Sequence, residues 1–190
     1  MACLIPVLEI FMRFFNAALV MGLSVFASSS FSHVVLSDQA ALANTAYRAT
    51  LLVGHGCEGS PTTSLKVTIP AGFRGAKPMP KAGWVLSTTL GKLAKPYDDH
   101  GKPVTEGVIE ITWTAAGKDN WLPEAWYDEF VLRGSLAGEA GPMWFKVLQT
   151  CEKGRIDWVE VPATGTSTQG LKSPAALLEV IESSQTGHQH

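Results

Sequence analysis

The 190-residue sequence predicts an all-β fold, an antiparallel β-sandwich, followed by a short C-terminal helix. Three observations carry this. Short runs with period-two alternation and β-branched or aromatic enrichment recur along the chain. Clusters of turn-forming residues separate them, and no long amphipathic helix interrupts the body. Such alternation puts one set of side chains on a core face and the other on solvent.

The runs follow in order. HVVLS (33–37) and AYRATLLV (46–53) open the body, and GSPTT separates them from SLKVTIP (64–70). PKAG precedes WVLSTT (84–89), DDHGKP precedes VIEITWT (108–114), and AAGKDN precedes EFVLRGSL (129–136). MWFKVLQTC (143–151) and RIDWVEVP (155–162) read as a hairpin turning at Lys153 and Gly154. Gly, Pro, Asn and Asp dominate the connections because they tolerate turn backbone conformations. Beyond Pro162, ATGTSTQGLKSP reads as a polar linker. AALLEVIES has helical spacing, with Ser173 and Pro174 placed as cap and first turn. The final SQTGHQH is expected to be disordered.

The chain start has the layout of a secretory signal peptide. FFNAALVMGLSVFA (14–27) is apolar, follows Arg13 and leads into small residues. It is shorter than the roughly 20 residues that a membrane-spanning helix needs, so cleavage is favoured over anchoring. Ser30 and Ser32, with Phe31 between them, satisfy the small-residue rule for a cut before His33. MACLIPVLEIF fits such a leader poorly, and Met12 would begin a more compact one. Residues 1–32 are therefore read as the leader, 33–162 as the sandwich, and 163–190 as linker, helix and tail.

Processing before His33 retains 158 of the 190 residues, enough for one domain with a sizeable core. It removes one acid, Glu9, and one base, Arg13, so the net charge stays at −2. A nucleic-acid partner would need a basic surface, and none is indicated. Cys57 and Cys151 remain, and an oxidising compartment makes a disulfide the leading reading. Two buried thiols or a thiolate metal pair are the alternatives, the latter disfavoured by the lack of CxxC spacing.

A histidine that begins a chain has a special capacity. Its α-amino nitrogen and imidazole Nδ1 can close a six-membered chelate ring on one metal ion, which no internal histidine can do. Both nitrogens give up protons to a strongly binding ion near neutral pH, and tetragonal nitrogen donors favour Cu(II). Glu58, beside Cys57, is a candidate third ligand on a loop that a disulfide would constrain, against the commoner fate of a solvated acid. His55 is a weaker candidate. His188 and His190 could form a flexible metal-capturing tail, and His100, beside Asp98 and Asp99, reads as a polar turn.

These residues, taken with the blocks HGCEGSPTTSLKVTIPAGF, PMPKAGW, WLPEAWYDEFVLRGSL and FKVLQTCEKGRIDWVEVP, resemble the YcnI-like copper-binding family. The resemblance runs from His33 to about Pro162. It implies an immunoglobulin-like sandwich that holds one Cu(II) through a monohistidine brace of amine, imidazole and carboxylate, with a tryptophan close to the metal. Residue by residue, the brace falls on His33, the carboxylate on Glu58 and the tryptophan on Trp158, with Trp144 as second choice. The cysteine pair departs from the family pattern.

The expected function is that of a periplasmic or secreted, non-enzymatic Cu(II) carrier or buffer, without a membrane anchor after processing and with another periplasmic copper protein as donor or acceptor. The alternatives are a copper oxidase resembling lytic polysaccharide monooxygenases, which would need a second histidine from His55 or His100, and an adhesion or scaffolding sandwich without metal.

Overall fold

The computed structural model describes residues 33–182. The expected leader with its cleavage motif, and the tail with His188 and His190, lie outside those residues. Among the described residues the only helical element is a short 3-10 turn at Lys118–Asn120, and no helix is long and apolar enough to cross a membrane.

Among the described residues, eleven strands form two packed sheets. They are β1 (Val35–Leu36), β2 (Ala40–Leu42), β3 (Ala46–Val53), β4 (Thr62–Thr68), β5 (Phe73–Pro78), β6 (Trp84–Asp99), β7 (Lys102–Ala115), β8 (Asp128–Leu136), β9 (Gly141–Cys151), β10 (Arg155–Trp158) and β11 (Ala176–Ile181). One sheet has the order β1-β3-β8-β5, the other β2-β11-β9-β4-β7-β6, with β10 also paired to β9. Every pairing is antiparallel except that of β11 with β2.

The alternation read from sequence reappears as burial. Ala49, Leu51 and Val53 of β3 and Phe130 and Leu132 of β8 face Leu65 and Val67 of β4, Ile111 and Trp113 of β7, and Phe145 and Val147 of β9. Inward faces of two sheets meeting in this way form the core of a sandwich. Phe130 anchors it, with Trp84 and Trp113 packed edge-on at 5.0 and 5.7 Å between ring centroids. The Trp113 indole N–H donates to the Met79 carbonyl at 3.0 Å, so the large ring is buried with its polar atom satisfied.

The expected C-terminal helix is a strand. Ala176–Ile181 pairs with Gly141–Phe145 of β9 and with β2, and Ala176, Leu178 and Val180 are buried while Glu179 and Ile181 face out. A run as apolar as AALLEVI fits either period. The open edge of β9 decides it, because a strand satisfies backbone groups there that a helix would leave unpaired.

Other stretches absent from the sequence reading are also strands: β2, β5, the second half of β6 and the first half of β7. β5 carries Gly75 at φ 59° within a register break against β8. The second half of β6, through Lys95, Pro96 and Asp99, pairs with β7 across a break between Lys92 and Tyr97. β6 is an edge strand, where a proline that cannot donate to a ladder is tolerated.

Candidate functional site

One end of the sandwich gathers His33, His55, the Cys57–Cys151 disulfide and the buried Trp158. β1 pairs with β3 through Val35↔Leu52 and Leu36↔Leu51, so the chain preceding it runs back along the end of β3 and sets His33 beside the Gly54–Gly56 segment. The His33 ring lies against the indole of Trp158, with centroids 5.7 Å apart and planes inclined by 60°. Trp158 also meets the His55 ring, at 6.2 Å and 71°. Both are edge-on aromatic contacts. Trp158 closes the short strand β10 and is 2% exposed. Trp144 sits on β9 opposite Leu177, out of the row that faces the core, so the aromatic neighbour of His33 is Trp158.

The loop after β3 is built tightly. Cys57 and Ser60 exchange two backbone hydrogen bonds, at 2.9 and 3.0 Å, around Glu58 and Gly59, whose φ angles are 50° and 85°. Two successive residues with positive φ make a type I′ turn. Glu58 occupies its first apex position and is solvent-exposed. A glutamate held in the left-handed region is uncommon, and the backbone around it over-determines the conformation.

Three attachments fix that turn. Cys57 is joined to Cys151 by the disulfide. The Lys153 N–H donates to Ser60 Oγ at 2.8 Å, and the Gly56 N–H donates to the Glu124 carboxylate at 2.7 Å. Gly56 has no room for a side chain, since a Cβ there would come within 1.9 Å of the Ser60 carbonyl oxygen.

His55 is held differently. Its Nδ1 lies 2.5 Å from the Gly56 carbonyl oxygen, an arrangement that makes Nδ1 the protonated nitrogen, and its Nε2 is buried without a hydrogen-bond partner. His33 also lines a cleft of about 240 Å³ between β1 and the segment leading into β11, alongside Gln39, Thr166, Thr168 and Leu177. Glu160 shapes that segment by accepting hydrogen bonds from the backbone N–H groups of Lys172 and Ser173, at 2.7 and 2.8 Å.

The structure thus gathers His33, His55 and Trp158, and it puts Glu58 on a rigid turn one residue from the disulfide. Among the described residues no three His, Cys, Asp or Glu side chains form a ligand cluster. A brace needs two such residues, the remaining donor being the backbone amine of a processed chain. His100 is remote in character, exposed in the β6–β7 turn at φ 51° and 3.8 Å from Asp99.

Sequence reasoning passed over Glu124 and Gln149. Gln149 was legible in principle: in FKVLQTC it falls on the inward parity of Phe145, Val147 and Cys151, where a carboxamide is out of place unless it has partners.

A family model described as a domain of unknown function (DUF1775) matches residues 33–180, from the candidate N-terminal histidine through the last sheet strand. Among solved structures, an uncharacterized protein from Nocardia farcinica with an immunoglobulin-like fold matches with a TM-score of 0.60 and 23% identity, over 78% of this chain and 97% of that one. That likeness establishes an immunoglobulin-like sandwich here. No curated protein matches the chain.

Proposed function

The chain belongs to the DUF1775 family, and we propose that it is an exported, non-enzymatic Cu(II)-binding protein that carries or buffers copper. His33 would hold the ion through its α-amino nitrogen and imidazole Nδ1 once the leader is removed, and Glu58 would supply a carboxylate oxygen. Copper is here the cargo. The donor set of two nitrogens and one oxygen suits Cu(II) better than the softer Cu(I). The oxidised cysteine pair accords with an exported location.

The observation that carries the reading is the setting of His33: the one histidine that can offer two nitrogens rests edge-on against a buried tryptophan, at the end where a disulfide-fixed turn presents Glu58. Trp158 gives the imidazole an apolar wall, which limits the ring orientations open to it. The rigid turn limits those open to the carboxylate. A preorganised donor set loses less freedom on binding.

A copper oxidase is the second reading, and the unpartnered Nε2 of His55 favours it as a further nitrogen donor on the other contact of Trp158. The Glu58 carboxylate weighs the other way, because an oxygen donor favours Cu(II) over Cu(I) and works against a cycle that must visit the reduced state.

The test is electron paramagnetic resonance of Cu(II) added to protein beginning at His33, beside the same protein with one extra N-terminal glycine. The brace predicts a single tetragonal one-to-one signal with nitrogen coupling that the glycine destroys or reshapes. It also predicts that His33→Ala abolishes tight binding and that Glu58→Gln weakens it. A retained high-affinity signal in the extended protein would sink the brace. Pulsed measurements that find two coupled imidazoles would turn the assignment toward the oxidase.

A further inference from the structure

We propose that Gln149 is the positioning residue of this site: its buried carboxamide sets the indole of Trp158 against His33 and, through the same group, holds the root of the loop that carries Glu58. The inference rests on the brace reading and deepens it.

β9 turns Met143, Phe145, Val147, Gln149 and Cys151 toward the core, so Gln149 stands fully buried in a row otherwise apolar or disulfide-bonded. A carboxamide there is destabilising unless its hydrogen-bonding groups are satisfied. Its oxygen accepts from Trp158 Nε1 at 2.9 Å, and its nitrogen donates to the His55 carbonyl and to Thr62 Oγ1, both at 2.7 Å. The indole N–H can only donate, which assigns the amide oxygen to Trp158 and leaves both amide hydrogens for the two acceptors.

The three partners lie on three different pieces of chain. Trp158 is the last residue of β10, His55 precedes the Gly56–Ser60 turn, and Thr62 begins β4. A side chain at a strand end has little backbone context to fix its torsions, and an indole flipped about its outer torsion would carry Nε1 away from the amide oxygen. Gln149 therefore selects the ring orientation that meets His33 and His55. Its other arm ties down the carbonyl three residues before Glu58. One buried group thereby couples the wall behind the imidazole to the turn bearing the carboxylate. Outer-sphere hydrogen bonds of this kind orient ligands and tune affinity.

The experiment compares wild-type protein beginning at His33 with Gln149→Met, Trp158→Phe and the double variant, and with Thr62→Val as a control that removes an arm not touching Trp158. The readouts are the indole N–H resonance of Trp158 in metal-free protein, the Cu(II) electron paramagnetic resonance spectrum, and Cu(II) affinity by competition. Gln149→Met is expected to displace the indole resonance, alter the copper hyperfine pattern and weaken Cu(II) affinity about tenfold. Trp158→Phe, which deletes the donor and keeps an aromatic ring, should shift the copper spectrum similarly. The double variant should be no weaker than the worse single one, and Thr62→Val should keep the wild-type spectrum.

A folded Gln149→Met protein with wild-type copper spectrum and affinity overturns the proposal. Should that variant fail to fold, an unchanged copper spectrum in Trp158→Phe overturns it instead. Failure of the brace is read separately. A wild-type signal indifferent to an added N-terminal glycine sinks both ideas, whereas a glycine-sensitive wild type with an unaffected Gln149→Met sinks this one alone.

Discussion

Replacing Cys57 and Cys151 together by alanine removes a cross-link between residues 94 apart in sequence. The loop-closure expression assigns such a span about 4.7 kcal/mol at 25 °C, nearly all of it through the unfolded chain. The folded state keeps its geometry without the bond. Cys57 retains its paired backbone hydrogen bonds with Ser60, and Cys151 stays in register with Thr62 of β4. Residual contacts in the unfolded chain reduce the effect, so a loss of about 3–4 kcal/mol is expected. In a domain of this size that lowers the melting temperature by roughly 10 °C. Urea unfolding of oxidised wild type, reduced wild type and the double alanine variant measures it. The last two should agree closely. A double variant within about 1 kcal/mol of the oxidised protein would refute the reasoning, since the cross-link would then be constraining nothing that the unfolded chain explores.

Gly56→Ala should destabilise the fold by at least about 2 kcal/mol, because the new Cβ would lie 1.9 Å from the Ser60 carbonyl oxygen and 2.8 Å from Glu124 Oε2. A wild-type denaturation midpoint would show that the turn yields easily. Tyr47 provides an alkaline prediction: burial, with the Asp38 carboxylate adding to it, pushes the phenol from 10.0 up to about 12, and its hydroxyl donates to the Asp38 carbonyl oxygen. The folded state thus favours the neutral phenol. Its contribution is complete below pH 10 and is lost as the pH rises toward 12, because the unfolded chain releases the proton first. Tyr47→Phe should flatten the decline in melting temperature between those values, and an unchanged slope would assign the decline to other groups.

Much of the sandwich was legible because strand periodicity is local. AYRATLLV, SLKVTIP and MWFKVLQTC alternate in sequence and in burial alike. The reading failed where the pattern was broken or ambiguous. Gly75 and the register break in β5, and Lys95 and Pro96 in the edge half of β6, disrupt alternation at positions where the sheet tolerates it. AALLEVI satisfies two periods at once, and only the vacant edge of β9 selects one of them. For the site, the cysteine pair followed from counting, and a loop carrying Glu58 from its place beside Cys57 and ahead of the GSPTT cluster. Nothing local indicated that its apex would be a glutamate in the left-handed region, nor that Glu124, 68 positions after Gly56, would accept that glycine's N–H.

By itself the sequence determined the class of fold, made a Cys57–Cys151 bond the leading reading, and singled out His33, since alternation, cysteine number and the expected cleavage motif can be read without knowing how the chain folds. Tertiary structure alone decided which tryptophan faces His33, that His55 shares it, and that Gln149 links both to the loop of Glu58. The reason is geometric. These groups come from β1, the loop after β3, β9 and β10, and their approach depends on how two sheets stack and on strand register, which no window of neighbouring residues encodes.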